Sequence, residues 1–320
     1  MTKPQTRSSR GLPAPFFDRP VLILVITAAF WGGNVVAGKL AVGQVDPYVL
    51  TVLRWVGALL LVLPLAVRPL RGDWPQVRRA WPLLLLFGAL GFCTFNVLMY
   101  VAVYTTSGVN ASIEQVGINI LVMLGNFILF RIRVRPLQIL GVALTIVGVA
   151  LTATHGALGR LLELDINLGD GLMLLACIAY AVYSLALRFR PPLHWMSFLL
   201  TTFVGAVLAA IAYQLTLGGG LGPFFAGLSA ITPLGWLVVL YVLTFPSVLA
   251  QALYARGVEL IGANRASLFI NLIPLFGTIG SVLVLGERLE GFHLLAALLI
   301  AAGIVLAEFS ARRAPGEPAA

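Results

Sequence analysis

Long apolar stretches alternate with short polar breaks along nearly the whole chain. A helix needs about 20 mostly apolar residues to cross a bilayer. The breaks contain turn-forming pairs such as Asp46-Pro47, Ser107-Gly108 and Pro191-Pro192. The pattern therefore predicts an all-α integral membrane protein with ten transmembrane helices. The predicted spans cover residues 20–41, 48–67, 81–104, 109–130, 136–154, 169–187, 195–217, 233–255, 266–285 and 291–309.

Composition supports the bilayer as the solvent for this chain. Of its 320 residues, 60% are hydrophobic and only 10% are charged, whereas soluble domains carry about 25% charged residues. The net charge of +9 does not indicate nucleic acid as a partner, because no face rich in Lys and Arg with interleaved aromatic residues occurs. The expected partners are the lipid bilayer and a small-molecule substrate.

The distribution of basic residues orients the predicted helices. Segments on one side of the membrane hold 17 Lys and Arg residues, and the loops on the opposite side hold 2. Because cytoplasmic loops carry the excess of Lys and Arg, both termini are expected in the cytoplasm of a multi-pass protein. The tails would cover residues 1–19 and 310–320, and residues 155–168 would form an extracytoplasmic linker.

The chain also repeats itself. The segment from Tyr100 to Gly108 parallels that from Tyr254 to Gly262, at an offset of 154 residues. Each half, residues 20–154 and residues 169–309, then contains five spans. Because five is odd, the second half enters the membrane from the opposite side. The pattern predicts two inverted five-helix repeats, which are typical of transporters with alternating access.

Several short motifs resemble those of the drug/metabolite transporter superfamily, in its EamA-type branch. They are Phe-Trp-Gly-Gly-Asn at residues 30–34, Asp46-Pro47, Arg54-Trp55 and Gly286-Glu287. The first half departs from the pattern at residues 131–133, where Arg-Ile-Arg replaces an expected Gly-Glu. The resemblance implies export of metabolites or amino acids across the bacterial inner membrane. Within the family, the chain looks most similar to aromatic amino-acid exporters.

Polar and aromatic residues recur at helical spacing inside the predicted spans. Such residues are costly in lipid and tend to face a cavity or a neighbouring helix. Rings and amides suit amphipathic solutes, so we expect these residues to bind substrate in a cavity lined by both halves. The alternative is hydrogen bonding between packed helices. The candidates are Trp31, Asn34, Asn96, Tyr100, Gln115, Asn119, Tyr180, Tyr183, Ser247, Gln251 and Tyr254.

Five charged residues lie inside spans or at their ends. Lys39, Arg54 and Glu114 fall near the predicted outer side, whereas Arg188 and Arg265 fall near the cytoplasmic side. One interpretation is an ion pair among the outer three, with long side chains reaching toward the interface. The other is a gate, or a positive counter-charge for a substrate carboxylate.

Other functional classes find little support in the sequence. The three histidines lie at span ends or in loops, and no catalytic, metal-ligating or nucleotide-binding motif occurs. We therefore expect no enzyme, catalytic residue, metal or cofactor. The predicted function is an alternating-access exporter of small metabolites that acts as a monomer by facilitated diffusion. The alternatives are a proton-coupled multidrug or metabolite antiporter, in which Glu114 titrates, or a solute channel.

Overall fold

Helices account for the regular structure in the computed structural model of this chain. The model describes residues 17–131, 136–153, 156, 167–262 and 266–312, and no strand occurs in those ranges. The predicted all-α class is therefore confirmed. Most of the predicted tails and of the linker 155–168 lie outside these residues. The α-helices are α1 (Pro20–Ala41), α2 (Pro47–Phe87), α3 (Phe95–Ala102), α4 (Gly108–Glu114), α5 (Gly117–Phe130), α6 (Pro136–Ala153), α7 (Leu168–Ala186), α8 (Trp195–Thr216), α9 (Leu221–Ser229), α10 (Pro233–Thr244), α11 (Ala250–Ile261), α12 (Ile273–Leu285) and α13 (Gly291–Arg312).

The helices have the length and surface of membrane spans. Within the described residues, six helical stretches are long and apolar enough to cross a bilayer, and three further apolar helices are shorter. Large apolar side chains point outward, as at Ile128 and Leu298, which are each 69% exposed. In water such a surface would be unfavourable, and in lipid it is not. The chain is therefore a multi-pass membrane protein, and the count of ten spans remains a prediction.

The segment between the second and third predicted spans is helical, which corrects the expectation of a loop at residues 68–80. Helix α2 runs through it and continues by way of a π-helical segment into α3. Straight helix between Arg54 and Asn96 would be about 63 Å long. Yet Arg54 Nη1 donates to Asn96 Oδ1 over 2.6 Å. The chain therefore folds back on itself within the helical run, which contains four prolines, at positions 64, 69, 75 and 82.

Packing between helices follows a reciprocal scheme. Helix α1 packs against α11 and α12, and α7 packs against α3 and α5. Helix α2 packs along α8, and α6 packs along α13. In terms of predicted spans, the first span contacts the eighth and ninth, and the sixth contacts the third and fourth. The first helix of each half, α1 or α7, thus packs against two helices of the other half.

Irregular helix interrupts both halves at matching places. The π-helical segments are Gly88–Thr94 and Phe245–Leu249, and the repeat offset of about 154 residues nearly superposes them. Downstream, Gln115 and Val116 separate α4 from α5, and the 3₁₀ segment Ser267–Leu272 precedes α12. Broken helices free backbone groups that can face a cavity.

Candidate functional site

A central cavity of about 570 Å³ lies between the two halves. Helices from both halves contribute to it, and its wall includes both π-helical segments and both later interruptions. The lining runs from Asn34 and Arg54 in the interior to Leu187, just beyond the end of α7. Nine of the eleven predicted residues line it, namely Trp31, Asn34, Asn96, Gln115, Asn119, Tyr180, Tyr183, Gln251 and Tyr254.

Arg54 is the centre of the polar part of this cavity. Arg54 is only 3% exposed. Nε donates to Ser247 Oγ over 2.7 Å, and Nη1 donates to Asn34 Oδ1 over 2.8 Å and to Asn96 Oδ1 over 2.6 Å. Nη1 also donates to the hydroxyl oxygen of Tyr100. In the described part of the chain, Nη2 has no hydrogen-bond acceptor and no carboxylate forms an ion pair with Arg54.

The remaining two predicted residues, Tyr100 and Ser247, do not line the cavity but accept hydrogen bonds from Arg54. Tyr100 donates its hydroxyl to Asn34 Oδ1 over 2.9 Å, and Ser247 donates to the carbonyl of Val242 over 2.7 Å. Tyr100 is 1% exposed and Ser247 also 1%. The structure therefore connects all eleven predicted residues to one cavity, nine through its wall and two through Arg54.

Local sequence explains how Arg54 comes to its position. Asp46 caps α2 by accepting hydrogen bonds from the backbone N–H groups of Tyr48 and Val49, at 2.9 and 3.1 Å. Capping fixes the start of the helix, and Arg54 follows two turns later. Asn96 and Tyr100 are four residues apart on α3, so both face the same side. The guanidinium lies between that face and Asn34 of α1.

Aromatic rings line the cavity beside this polar group. Trp31 donates its indole N–H to the carbonyl of Pro246 over 3.0 Å and packs against Tyr254 with ring centroids 5.4 Å apart. Tyr180 packs against Phe95 at 5.2 Å and against Tyr183 at 5.3 Å. These contacts fix the ring orientations and leave an apolar surface next to the polar group around Arg54.

The expected ion pair among Lys39, Arg54 and Glu114 is wrong for this structure. Lys39 Nζ donates to the carbonyls of Val103 and Thr106, at 2.7 and 2.8 Å. Arg54 donates only to neutral oxygens among the described residues. Glu114 is 4% exposed, and neither of its carboxyl oxygens has a hydrogen-bond partner among the described residues. A depth estimate from sequence could not tell which way each side chain points around its helix.

Of the two basic residues predicted near the cytoplasmic side, the structure describes only Arg188. Arg188 places its guanidinium 3.9 Å from the ring centroid of Phe130, which is a cation–π contact. Arg265 lies outside the described residues. A gating role for either residue stays a prediction.

Sequence reasoning missed three residues that the structure makes prominent. Asp170, in the first turn of α7, is buried and accepts a hydrogen bond from the hydroxyl of Thr106. Glu287 accepts hydrogen bonds from the backbone N–H groups of Gly108 and Val109, both at 2.8 Å. Asn271 accepts one from Asn119 over 3.1 Å. The Gly-Glu motif could have indicated Glu287, because a carboxylate in a short connection between two helices is free to cap the start of a third helix.

Fold and cavity together define a polytopic helical membrane protein with a central solute-sized site between two similar halves. The model of the EamA-like transporter family matches this chain twice, at residues 19–154 and 167–309. The chain belongs to that family, which confirms the resemblance noted from its motifs. The narrower likeness to aromatic amino-acid exporters stays a prediction.

Curated relatives have the same general description. "Uncharacterized transporter YyaM" of Bacillus subtilis is 27% identical over 294 residues, which cover 89% of this chain and 92% of the relative. "Uncharacterized transporter YetK" of the same organism is 25% identical over 93% of this chain and 89% of its own length. "Uncharacterized inner membrane transporter YicL" of Salmonella typhimurium is 25% identical, with coverages of 92% and 96%.

A solved crystal structure shares the fold. It is 20% identical in sequence and superposes with a TM-score of 0.61, covering 92% of this chain and 99% of its own. At this identity the likeness concerns the fold alone. Family and relatives support a membrane transporter role for this chain.

Proposed function

We propose that this chain is an alternating-access carrier that exports small amphipathic solutes bearing a carboxylate, including aromatic amino acids. One observation carries the proposal: Arg54 is a buried cation at a cavity, with one guanidinium nitrogen unused and no carboxylate partner in the described residues. Its neutral partners fix the side chain but leave its charge uncompensated.

The physical argument for a carboxylate is one of charge balance. A buried cation without an anion is strongly unfavourable. A ligand that supplies the anion therefore gains binding free energy by pairing with this charge. Arginine also presents its donors in a planar fork that matches a carboxylate. The rings of Trp31, Tyr180 and Tyr254 would then receive the apolar part of the solute.

Alternating access is supported by the reciprocal packing of the two halves. Under exchange of the halves, the contact of α1 with α11 and α12 becomes that of α7 with α3 and α5. The pairs formed by α2 with α8 and by α6 with α13 map onto themselves. The two π-helical segments and the two later interruptions also match. We propose ten spans in two inverted repeats, because that arrangement explains all of these correspondences.

The proposed location is the bacterial inner membrane, with both termini in the cytoplasm. The asymmetry of basic residues supports the orientation. A relative named as an inner membrane transporter supports the compartment. In this orientation the cavity extends toward the cytoplasmic end, where Leu187 lies, which fits a state that loads solute from the cell interior.

Transport assays in proteoliposomes test the proposal. We expect the wild type to take up labelled L-phenylalanine with saturation and counterflow, which distinguish a carrier from a channel. Phenylalanine amide, which keeps the ring and amine but lacks the carboxylate, should be a poor competitor. Arg54→Gln should raise the half-saturating concentration about 10- to 100-fold, the loss expected for hydrogen bonds to a charged group.

Arg256→Gln is the matched control, because Arg256 forms exposed ion pairs with Asp18 and Glu259 and should leave phenylalanine uptake unchanged. Equal competition by the acid and the amide would contradict carboxylate recognition by Arg54. Linear, non-saturating flux without counterflow would contradict a carrier.

Energy coupling has two candidate forms. The sequence predicts facilitated diffusion, and one interpretation of its charged residues is an ion pair of Lys39, Arg54 and Glu114. Neither Lys39 nor Arg54 contacts the carboxyl group of Glu114 among the described residues. Proton-coupled antiport is therefore the second candidate function, and the burial of Glu114 favours it.

A further inference from the structure

Glu114 has an unusual environment for an acidic side chain. It ends α4, is 4% exposed, and has no hydrogen-bond partner for either carboxyl oxygen within the described residues. An ionised carboxylate without donors is among the most costly groups to bury, whereas the protonated form is far less so. The site therefore suits a carboxyl group that carries a proton.

Asp170 of α7 is a second buried acid close to α4. Helix α7 packs against α4, and its Cys177 donates to the backbone carbonyl of Glu114, so both buried acids lie where these two helices meet. Asp170 is 3% exposed, lies in the first turn of α7 and accepts a hydrogen bond from Thr106. A helix N-terminus and a donor both favour the ionised form. The two acids thus have different environments: Asp170 has a donor and a helix N-terminus beside it, and the carboxyl oxygens of Glu114 have no hydrogen-bond donor in the described residues.

Few other charged or titratable groups belong to the described elements packed against α4. Lys39 of α1 donates to the carbonyls of Val103 and Thr106, and the hydroxyl of the same Thr106 donates to Asp170. Cys177 of α7 donates to the backbone carbonyl of Glu114 over 3.5 Å. Near α13, Glu287 caps α4 and His293 contacts Asn110 Oδ1. Helices α6 and α12 carry no ionisable side chain in their sequences.

The acidic pair adjoins the solute cavity through a break in the helix. The two residues after Glu114, Gln115 and Val116, both line the cavity and separate α4 from α5. Backbone bonds there are of the i to i+3 type, as from Ile118 N to Gln115 O over 3.1 Å. A change at Glu114 can therefore reach the cavity wall through the adjacent residue, at a break between two helices.

We propose that Glu114 and Asp170 form a proton-binding site whose loading and release drive solute export. This inference rests on the proposed function for its transport consequence, though not for the existence of the site. The pair would hold one proton between two carboxyl oxygens when buried. It lies near the Lys39 and Thr106 end, which the orientation places outside. Protons would enter there when the outer side opens, and the reverse change would carry solute out.

Infrared spectroscopy of the purified protein in lipid tests the site without any solute. We expect a carbonyl stretch from one protonated carboxyl group per molecule, which disappears as the pH is raised and shifts in deuterated water. Glu114→Gln should abolish this titrating band, and Asp170→Asn should change the pH at which it disappears. Glu259→Gln, an exposed cytoplasmic-end acid, should leave it unchanged. A band that persists in Glu114→Gln, or none in the wild type, would overturn the proposal.

Transport measurements then test the coupling. With an acidic liposome lumen, wild-type protein should accumulate labelled L-phenylalanine inside, because protons leave as solute enters. Glu114→Gln should lose this accumulation yet retain counterflow exchange. Accumulation that survives in Glu114→Gln would overturn the coupling role. A wild type that binds the proton but transports no phenylalanine would contradict the proposed substrate and leave the infrared result to decide on the site.

Discussion

At the scale of single residues, the buried cation Arg54 organises the site. Four neutral oxygens hold its guanidinium, from Asn34, Asn96, Tyr100 and Ser247. Neutral acceptors fix the side chain without cancelling its charge. A protein carboxylate in the same place would neutralise the charge and weaken the attraction between Arg54 and a substrate anion.

The hydroxyl of Tyr100 should matter for solute affinity although Tyr100 does not line the cavity. It accepts from Arg54 and donates to Asn34, so Tyr100→Phe removes two contacts that hold the guanidinium. A net hydrogen bond is worth about 1 kcal/mol, and we expect the half-saturating concentration for phenylalanine to rise about fivefold in proteoliposomes. Tyr104→Phe is the control, since Tyr104 is 43% exposed. An equal effect in both variants would argue against positioning by Tyr100.

Sequence alone reached most of the site at this scale, but not its charge partners. Helical spacing identified the faces of α3 and α11, because amide and aromatic residues three or four apart stand out in apolar helices. The partner of Arg54 could not be read in the same way. Opposite charges at similar depth suggested Glu114, yet partnership depends on the rotation of each helix about its axis. Neutral oxygens on three other segments surround Arg54 instead.

At the scale of elements, breaks in helices place polar groups at the cavity. The π-helical segment at Phe245–Leu249 turns Ser247 toward Arg54, and its Pro246 carbonyl is open to the indole of Trp31. Glu287 stabilises the start of α4 from a different part of the chain by accepting two backbone N–H groups. The break after Glu114 leaves α4 a short helix that depends on this cap.

Helix breaks show where sequence reasoning fails at this scale. The Arg-rich stretch at residues 68–80 predicts a loop between two spans, but the chain folds back there while its backbone remains helical, within a helix that contains four prolines. Proline disfavours helix by removing one N–H donor and by a steric clash. A kink can absorb both costs, so proline predicts a change of direction more reliably than the loss of helix.

Close contact between α6 and α13 gives a prediction about helix packing. A Cβ on Gly148 would lie 2.8 Å from Ile300 Cγ1 and 2.9 Å from Ala296 O. Gly148→Ala should therefore push the helices apart and destabilise the protein by about 1–3 kcal/mol. The same change at Gly171 of α7 meets nothing within 4 Å and should stabilise by about 0.5–1 kcal/mol. Thermal unfolding in detergent measures both, and shifts of the same sign would contradict the packing argument.

At the scale of the whole molecule, contacts tie the predicted loops together at two ends. At one end Lys39 reaches Val103 and Thr106, and Thr232 N bonds to Gln44 O over 3.2 Å. At the other, Asp73 accepts from His194 N over 2.8 Å, and Arg256 pairs with Asp18. The first set belongs to the predicted outer loops and the second to the cytoplasmic ones. This grouping is the one that the predicted alternation of sides expects, because every crossing exchanges the two sides.

Orientation in the membrane is the last property that this arrangement predicts, and single cysteines can test it. Both native cysteines, Cys93 and Cys177, are buried, so labelling of the unmodified chain by a membrane-impermeant maleimide should be weak. Ser229 at the end of α9 and Gln76 in the basic part of α2 are both exposed. The excess of Lys and Arg around Gln76 places that end in the cytoplasm in the proposed orientation. Ser229→Cys should therefore react in intact cells, whereas Gln76→Cys should react only after permeabilisation. The reverse pattern would invert the orientation and place the Glu114 and Asp170 end in the cytoplasm, and reaction of both in intact cells would contradict the fold-back of α2 across the membrane.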